Sequence, residues 1–317
     1  MATGILRIQA FAARQSAPVE GVTVNIVGDG FTAARMTDAE GNAADVTLTA
    51  PDCALSLEED NTTRLPYAVC SLTASKAGYR TVRIQGIQVF AGQVTLAQPE
   101  MIPETEEDRD VEDPPIIIPP HPLFAGGGGS GRAPADPCAP RVLDRVIIPK
   151  NITVHLGKPA ASARNVTVSF RRYIANVASS EVYPTWPESA LRANIHCQIS
   201  LALNRIYTEW YPSRGYSFNI TNSTSYDQYY VHGRTVFDVM VRLTDDIFNT
   251  YLRKTGTVNP YYSEYCDGKS VTCPGLKQWG TVTLAKQGKT PLQILKYYYG
   301  SNIEIVRTNN IQAIPQS

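Results

Sequence analysis

Glu181 lies where a helical apolar stripe calls for a hydrophobic side chain. In the stretch 170–181, Phe170, Tyr173, Ile174, Val177 and Ala178 keep the i, i+3, i+4, i+7, i+8 spacing of one buried face, and the next position on that face is the carboxylate. Pro184 then closes the helix within three residues. Burial on an apolar face and the negative end of the helix dipole both raise a carboxyl pKa. An acid kept protonated near neutral pH is equipped to act as a general acid. A second reading turns Glu181 to solvent as the helix end frays, and periodicity alone leaves both open.

The elements that must position this acid follow it. Thr185 and Glu188 read as a capping box with Pro187 in the first helical turn, and Leu191, Ile195, Ile199, Ala202 and Ile206 form the apolar face of a long helix. Farther on come Gly275-Leu-Lys-Gln278-Trp279-Gly280 and a closing helix over Thr290–Gly300. The order of a helix ending Ala-Ser-Ser-Glu181, then Tyr183-Pro-Thr-Trp186-Pro, a long Ala-rich helix and Gly-x-x-Gln-Trp-Gly resembles the stage II sporulation protein D (SpoIID/LytB) family, from about Ile147 to Val306. The resemblance implies an α+β catalytic domain over 142–317 whose Glu181 is the acid/base of a lytic transglycosylase acting on peptidoglycan glycan strands.

The chain departs from that family in three places. Members often carry a Cys/His zinc site after the long helix, whereas Phe218–Tyr230 contains neither residue type, so no metal and no cofactor are expected. The family's arginine in the long helix aligns near Ile199. Its His-Ser ahead of Cys-Gly-Gly aligns with Ser263 and Glu264, ahead of Cys266-Asp-Gly268. These departures motivate an alternative: a non-catalytic peptidoglycan-binding or amidase-enhancing protein of the same fold.

Hydrolysis of a glycosidic bond uses two carboxyl groups. Lytic transglycosylation needs one, which protonates the oxygen leaving from C4 of N-acetylglucosamine and, as a carboxylate, takes the C6 hydroxyl proton of N-acetylmuramic acid as the 1,6-anhydro ring closes. Asp227, Glu209, Asp245, Asp246, Glu264 and Asp267 are the other acids in or beside this half, each a turn or surface charge unless folding brings it to Glu181. Sugar clefts set aromatic faces against pyranose rings and amides against hydroxyl and acetamido groups. Tyr183, Trp186, Trp279 and Tyr226 are the candidate platforms, and Asn222, Ser223, Gln228 and Gln278 the candidate hydrogen-bonding partners, with core packing the competing role for each aromatic. The four histidines, His121, His155, His196 and His232, have no spacing that assembles a site.

Residues 1–98 read as short alternating strands separated by turns such as Gly28-Asp-Gly30 and Asp38-Ala-Glu-Gly41, the pattern of an all-β sandwich. Pro18-Val-Glu-Gly21, Thr37-Asp-x-x-Gly41, Lys76-Ala-Gly78-Tyr79 and Val89-x-x-Gly92 resemble the carboxypeptidase regulatory-like, transthyretin-like domains, which implies a spacer or binding module. Over 99–141 an acidic run, a polyproline stretch and Gly126–Gly131 follow one another, the composition of a linker. Ile116–Ile118 is too apolar for a pure spacer and is read as docking on a neighbouring surface or adding an edge strand. The expected fold class is therefore multidomain: a β-sandwich, a flexible linker and an α+β domain.

Within 235–252 the apolar spacing allows one continuous helix, but Asp245-Asp246 reads as a break. A helix ending near Leu243 and a hairpin turning at Lys254-Thr-Gly256 is the preferred reading. Cys53 with Cys70, and Cys266 with Cys273, are two local pairs that spacing allows as bridges or as free thiols.

The 29 basic and 29 acidic residues cancel, so net charge offers no attraction for nucleic acid. No apolar run approaches the ~20 residues of a membrane span, and the first residues show no signal-peptide pattern. A protein acting on the cell wall would then arrive through a spore compartment, by lysis or on a phage-like particle, with a cell-wall amidase or the particle as its partner.

Overall fold

The computed structural model describes residues 2–12, 17–105, 112–126 and 143–314. The protein is a mixed α/β chain with strands in several sheets, and it divides into two compact units. The first comprises the described residues of Met1–Pro120 together with His232–Val239; the second comprises those of His121–Val231 and Met240–Ser317.

In the first unit, strand Ala2–Gln9 runs antiparallel to Asn42–Ala50 and parallel to Val94–Ala97, and Val236–Phe237 adds antiparallel to the far edge of Val94–Ala97. A five-stranded sheet has the order Ile116–Ile117, Val82–Val89, Ala68–Ser75, Thr23–Gly28, Phe31–Met36. Alternation along the strands feeds one apolar core: Leu6, Ile8, Val46 and Leu48 from one sheet meet Val24, Ile26, Leu72 and Ile84 from the other. Strand Val82–Val89 runs on through Gly86, which carries it through a left-handed kink (φ +76). A Cβ at Gly86 would lie 2.1 Å from the Ile118 carbonyl oxygen, so only glycine fits.

Part of the linker stretch belongs to this unit. Met101 is fully buried in its core, and Ile116–Ile117 pairs parallel with Ile84–Gln85 while Ile118 is buried. Glu112 and Asp113, the end of the acidic run, pair with Arg83 and Arg80. Residues 106–111 and 127–142, with Cys138 and most of the Gly-rich run, lie outside the described residues.

The second unit is built around helices α1 (Pro122–Ala125), α2 (Phe170–Glu181), α3 (Glu188–Tyr207), α4 (Asp238–Ile247, which begins in the first unit), α5 (Gln278–Lys286) and α6 (Pro291–Tyr299). Strand Asn151–His155 pairs antiparallel with Asn165–Ser169 and parallel with Ile220–Thr221. Ser169 then caps α2 by accepting from the Arg172 amide. Helix α3 packs against α2, α5, α6 and strand Thr250–Lys254, which leaves it buried on nearly every side. Its polar residues must therefore find internal partners.

Three local expectations are corrected. Helix α3 begins at Glu188 with Pro187 at the cap and no side-chain cap bond; Glu188 instead accepts from Arg192 Nε at 2.8 Å. Helix α4 does not end near Leu243 but runs to Ile247, because Asp245 and Asp246 are outward-facing partners of Arg171 and Arg192 rather than a break. Strand Thr250–Lys254 ends where expected, but its partner is Ile303–Arg307, distant in sequence. Of the two cysteine pairs only Cys266–Cys273 is bonded, with Cα atoms 6.0 Å apart; Cys53 and Cys70 are free thiols.

Candidate functional site around Glu181

Helix α2 ends at Glu181, and the side chain is fully buried. This excludes the frayed, solvated reading. Three donors converge on the carboxylate: the Tyr229 amide reaches Oε1 at 2.9 Å, Gln198 Nε2 reaches Oε2 at 2.9 Å, and the Tyr265 hydroxyl is the third. Burial pushes the acid up to about 7, while the bonds from Tyr265, Tyr229 and Gln198, in that order of strength, hold it down.

The donors are themselves oriented. Gln228 Nε2 donates to the Tyr265 hydroxyl at 3.1 Å and to the Gln198 carbonyl at 3.0 Å, and its Oε1 accepts from Tyr173 at 3.0 Å. Because Gln228 donates to the Tyr265 oxygen, the Tyr265 hydrogen is free to point at Glu181. Asn176 fixes the segment that carries the Tyr229 amide, donating to the Val231 carbonyl at 2.8 Å and accepting from its amide at 3.1 Å. The Tyr265–Cys266 strand pairs with Leu276–Lys277, so the Cys266–Cys273 bridge closes the loop next to Tyr265.

The other sequence-derived residues fall into three groups. Tyr183, Trp186 and Trp279 form one buried ring cluster, with centroids 5.0 Å apart for the tryptophans and 6.0 and 6.1 Å from Tyr183 to Trp186 and Trp279; His121 stacks on Tyr183 at 4.5 Å. Gln228 is an internal hub, with both ends of its amide engaged by protein groups. Asn222 and Ser223 lie on the turn after strand Ile220–Thr221; the Asn222 amide donates to the His155 carbonyl, and the Ser223 carbonyl accepts from Tyr226 and Asp227. Gln278, at the start of α5, is fully buried, and neither atom of its amide has a partner among the described residues.

Asp227 and Asp267 are engaged elsewhere. Asp227 accepts from Arg205 Nε at 2.8 Å, from the Tyr211 hydroxyl at 2.5 Å, and from the Thr221 amide and hydroxyl at 2.9 and 2.7 Å. Asp267 staples its own turn through the amides of Lys269, Ser270 and Val271. Glu264 lies just before strand Tyr265–Cys266, and its Oε1 is buried with no hydrogen-bond partner among the described residues. No group of three or more His, Cys, Asp or Glu capable of holding a metal occurs among the described residues.

Sequence reading missed Gln198, Tyr229 and Tyr265. For Gln198 a signal existed: with Asn194 it places two amides one turn apart on a helix otherwise apolar on most sides, and buried amides require partners.

No family model matches this chain, and no curated protein does. Among solved structures it is similar to the TIE protein of Bacillus anthracis at 16% identity and TM-score 0.23, covering 32% of this chain and 17% of that one. It is similar to catechol 1,2-dioxygenase from Acinetobacter sp. ADP1 at 14% identity and TM-score 0.25, covering 37% of this chain and 58% of the dioxygenase. A leucine-rich repeat protein from Bacteroides thetaiotaomicron matches at 9% identity and TM-score 0.18, covering 53% of this chain and 18% of that one. This chain thus spans less than two thirds of each, and likenesses at these scores carry no conclusion about fold or activity.

Proposed function

We propose that the protein is a peptidoglycan lytic transglycosylase of SpoIID type, with Glu181 as its single acid/base. The observation that carries this reading is one fully buried carboxyl, raised to about 7 by desolvation and held by three donors, while Asp227 is engaged by Arg205. Near neutral pH such a group is present in both protonation states. The protonated form gives its proton to the departing C4 oxygen; the carboxylate then receives the C6 hydroxyl proton, and the acid is restored without a second carboxyl. Tyr265, Gln198 and the Tyr229 amide stabilise the carboxylate stage. The Tyr183, Trp186 and Trp279 rings and Gln278 flank the glycan once the site opens. The first unit serves as a carboxypeptidase regulatory-like β-sandwich that spaces or anchors the enzyme, a reading supported by two sheets feeding one core.

One observation favours the second reading, a non-catalytic glycan binder of the same fold: Glu181 has no exposed surface. The two readings separate on purified glycan strands. Mass spectrometry of strands incubated with the full chain should find 1,6-anhydro ends, abolished by Glu181→Gln with glycan binding retained. Reducing ends would mean a hydrolase, and no cleavage by the parent protein would leave only the binder.

A further inference from the structure

We propose that a second cleft in the C-terminal unit, separate from Glu181, is a binding site for a neutral saccharide. The cleft has a volume of about 640 Å³, within the range of small-ligand sites. One wall is the outward face of a sheet: Asn151 and Thr153 alternate on one strand, and Thr167 stands opposite Thr153 on the next, their hydroxyls 3.0 Å apart. Ser217 and Asn219 continue it, Asn219 Oδ1 accepting from the Thr153 amide at 2.9 Å and Ser217 from Asn165 at 3.2 Å. These five side chains are small, polar and uncharged. Tyr216 adds aromatic surface, its ring backed by the buried Phe218 with centroids 5.1 Å apart. Amides and hydroxyls beside aromatic rings are what hydroxyl groups and pyranose faces require.

The charges narrow the ligand further. Arg205 also lines the cleft, but its guanidinium is taken by Asp227 at 2.8 Å and the Tyr226 carbonyl at 3.0 Å, with the Trp210 ring 4.5 Å away. Among the described residues lining the cleft no free cation therefore remains to hold a phosphate or carboxylate, and such an anion would meet Glu209.

Glu209 is the acceptor this site would use. It has no ion-pair partner among the described residues, and it sits at φ +44, the one left-handed non-glycine residue among them. Its amide bonds to the Ile206 carbonyl and the Trp210 amide to the Arg205 carbonyl, the double closure in which the left-handed position after a helix is usually glycine. Here a glutamate occupies that strained position with its carboxylate at the cleft. A carboxylate can accept from two adjacent sugar hydroxyls at once.

The full chain should be titrated by calorimetry with an N-acetylglucosamine tetrasaccharide and, separately, with a β-1,4-glucose tetrasaccharide. Hydrogen–deuterium exchange over 208–219 would locate any complex. Binding of either probe, with protection in that segment, is expected. Affinity should fall at least tenfold in Glu209→Gly and in Thr153→Val, and change less than threefold in Glu181→Gln. Glu209→Gly suits the left-handed backbone better than the parent residue, so it should fold at least as well and lose only the ligand. Undiminished affinity in Glu209→Gly, protection confined to other segments, or no binding of either probe would overturn the assignment. Failure of the parent protein to make 1,6-anhydro ends would leave it standing.

Discussion

Replacing Glu181 with glutamine should stabilise the protein at alkaline pH and leave it nearly unchanged at acid pH. Burial raises this carboxyl from 4.5 to about 7, so the ionised form is disfavoured in the native state relative to the unfolded chain. Below 4.5 the group is protonated in both states and contributes no pH-dependent term. Between 4.5 and about 7 the unfolded chain ionises first and stability falls. Above 7 the penalty is constant, at roughly 3 kcal/mol for a shift of this size.

Glutamine removes that penalty only if its amide finds partners, since two protein donors face the carboxylate oxygens directly at 2.9 Å. Gln198 resolves the conflict. Its Oε1 has no partner among the described residues, so turning its amide over presents an acceptor to the new Nε2 at no loss of a described bond from that oxygen. Urea denaturation of parent and variant at pH 4, 6 and 8 measures the difference. It should be near zero at pH 4 and approach about 3 kcal/mol at pH 8. A pH-independent difference, or a variant less stable at pH 8 than at pH 4 relative to parent, would show that Glu181 is not held in a desolvated site.

Tyr265→Phe should move the Glu181 titration above its parent value of about 7, since the bond from Tyr265 is the strongest of those holding it down. Infrared difference spectra of the protonated carboxyl across pH 5–9 read this directly, and a downward shift would contradict the donor role. Opening the Cys266–Cys273 bridge with paired serines should cost about 2–3 kcal/mol for so short a loop, measured by denaturant titration, and should also increase hydrogen exchange at Tyr265. Unchanged exchange there would separate the bridge from the site.

What was legible in the sequence was local. The stripe from Phe170 to Ala178 announced the buried face on which Glu181 sits, and period-two alternation announced strands such as Thr23–Gly28. Ile116–Ile117, too apolar for a spacer, did become an edge strand. What stayed hidden depends on pairings that leave no local mark. Val236–Phe237 joins Val94–Ala97 in the first unit from far along the chain, and two residues are too few to show alternation. Tyr265 reaches Glu181 only through the packing that also orients Gln228, and no spacing rule connects those positions. The end of α4 was misjudged because Asp245 and Asp246 look like a break until Arg171 and Arg192 are placed opposite them.

The burial that gives Glu181 its acidity also constrains how a glycan could reach it. Desolvation is the largest cause of the shift to about 7, so any opening that lets water stand against the carboxyl returns it toward 4.5 and removes the protonated form needed for the first step. An access route that floods the site is therefore incompatible with the proposed chemistry at neutral pH. The cover has to be exchanged for substrate, sugar replacing protein without an intervening water-filled state. The stretch that carries the Tyr229 amide is anchored by the pair of bonds between Asn176 and Val231. Asn176 lies on α2, the helix that ends at Glu181. Helix α2 thus both presents the acid and, through Asn176, anchors the segment that supplies the Tyr229 donor, so under the proposed chemistry that segment stays in place while a glycan enters from another side.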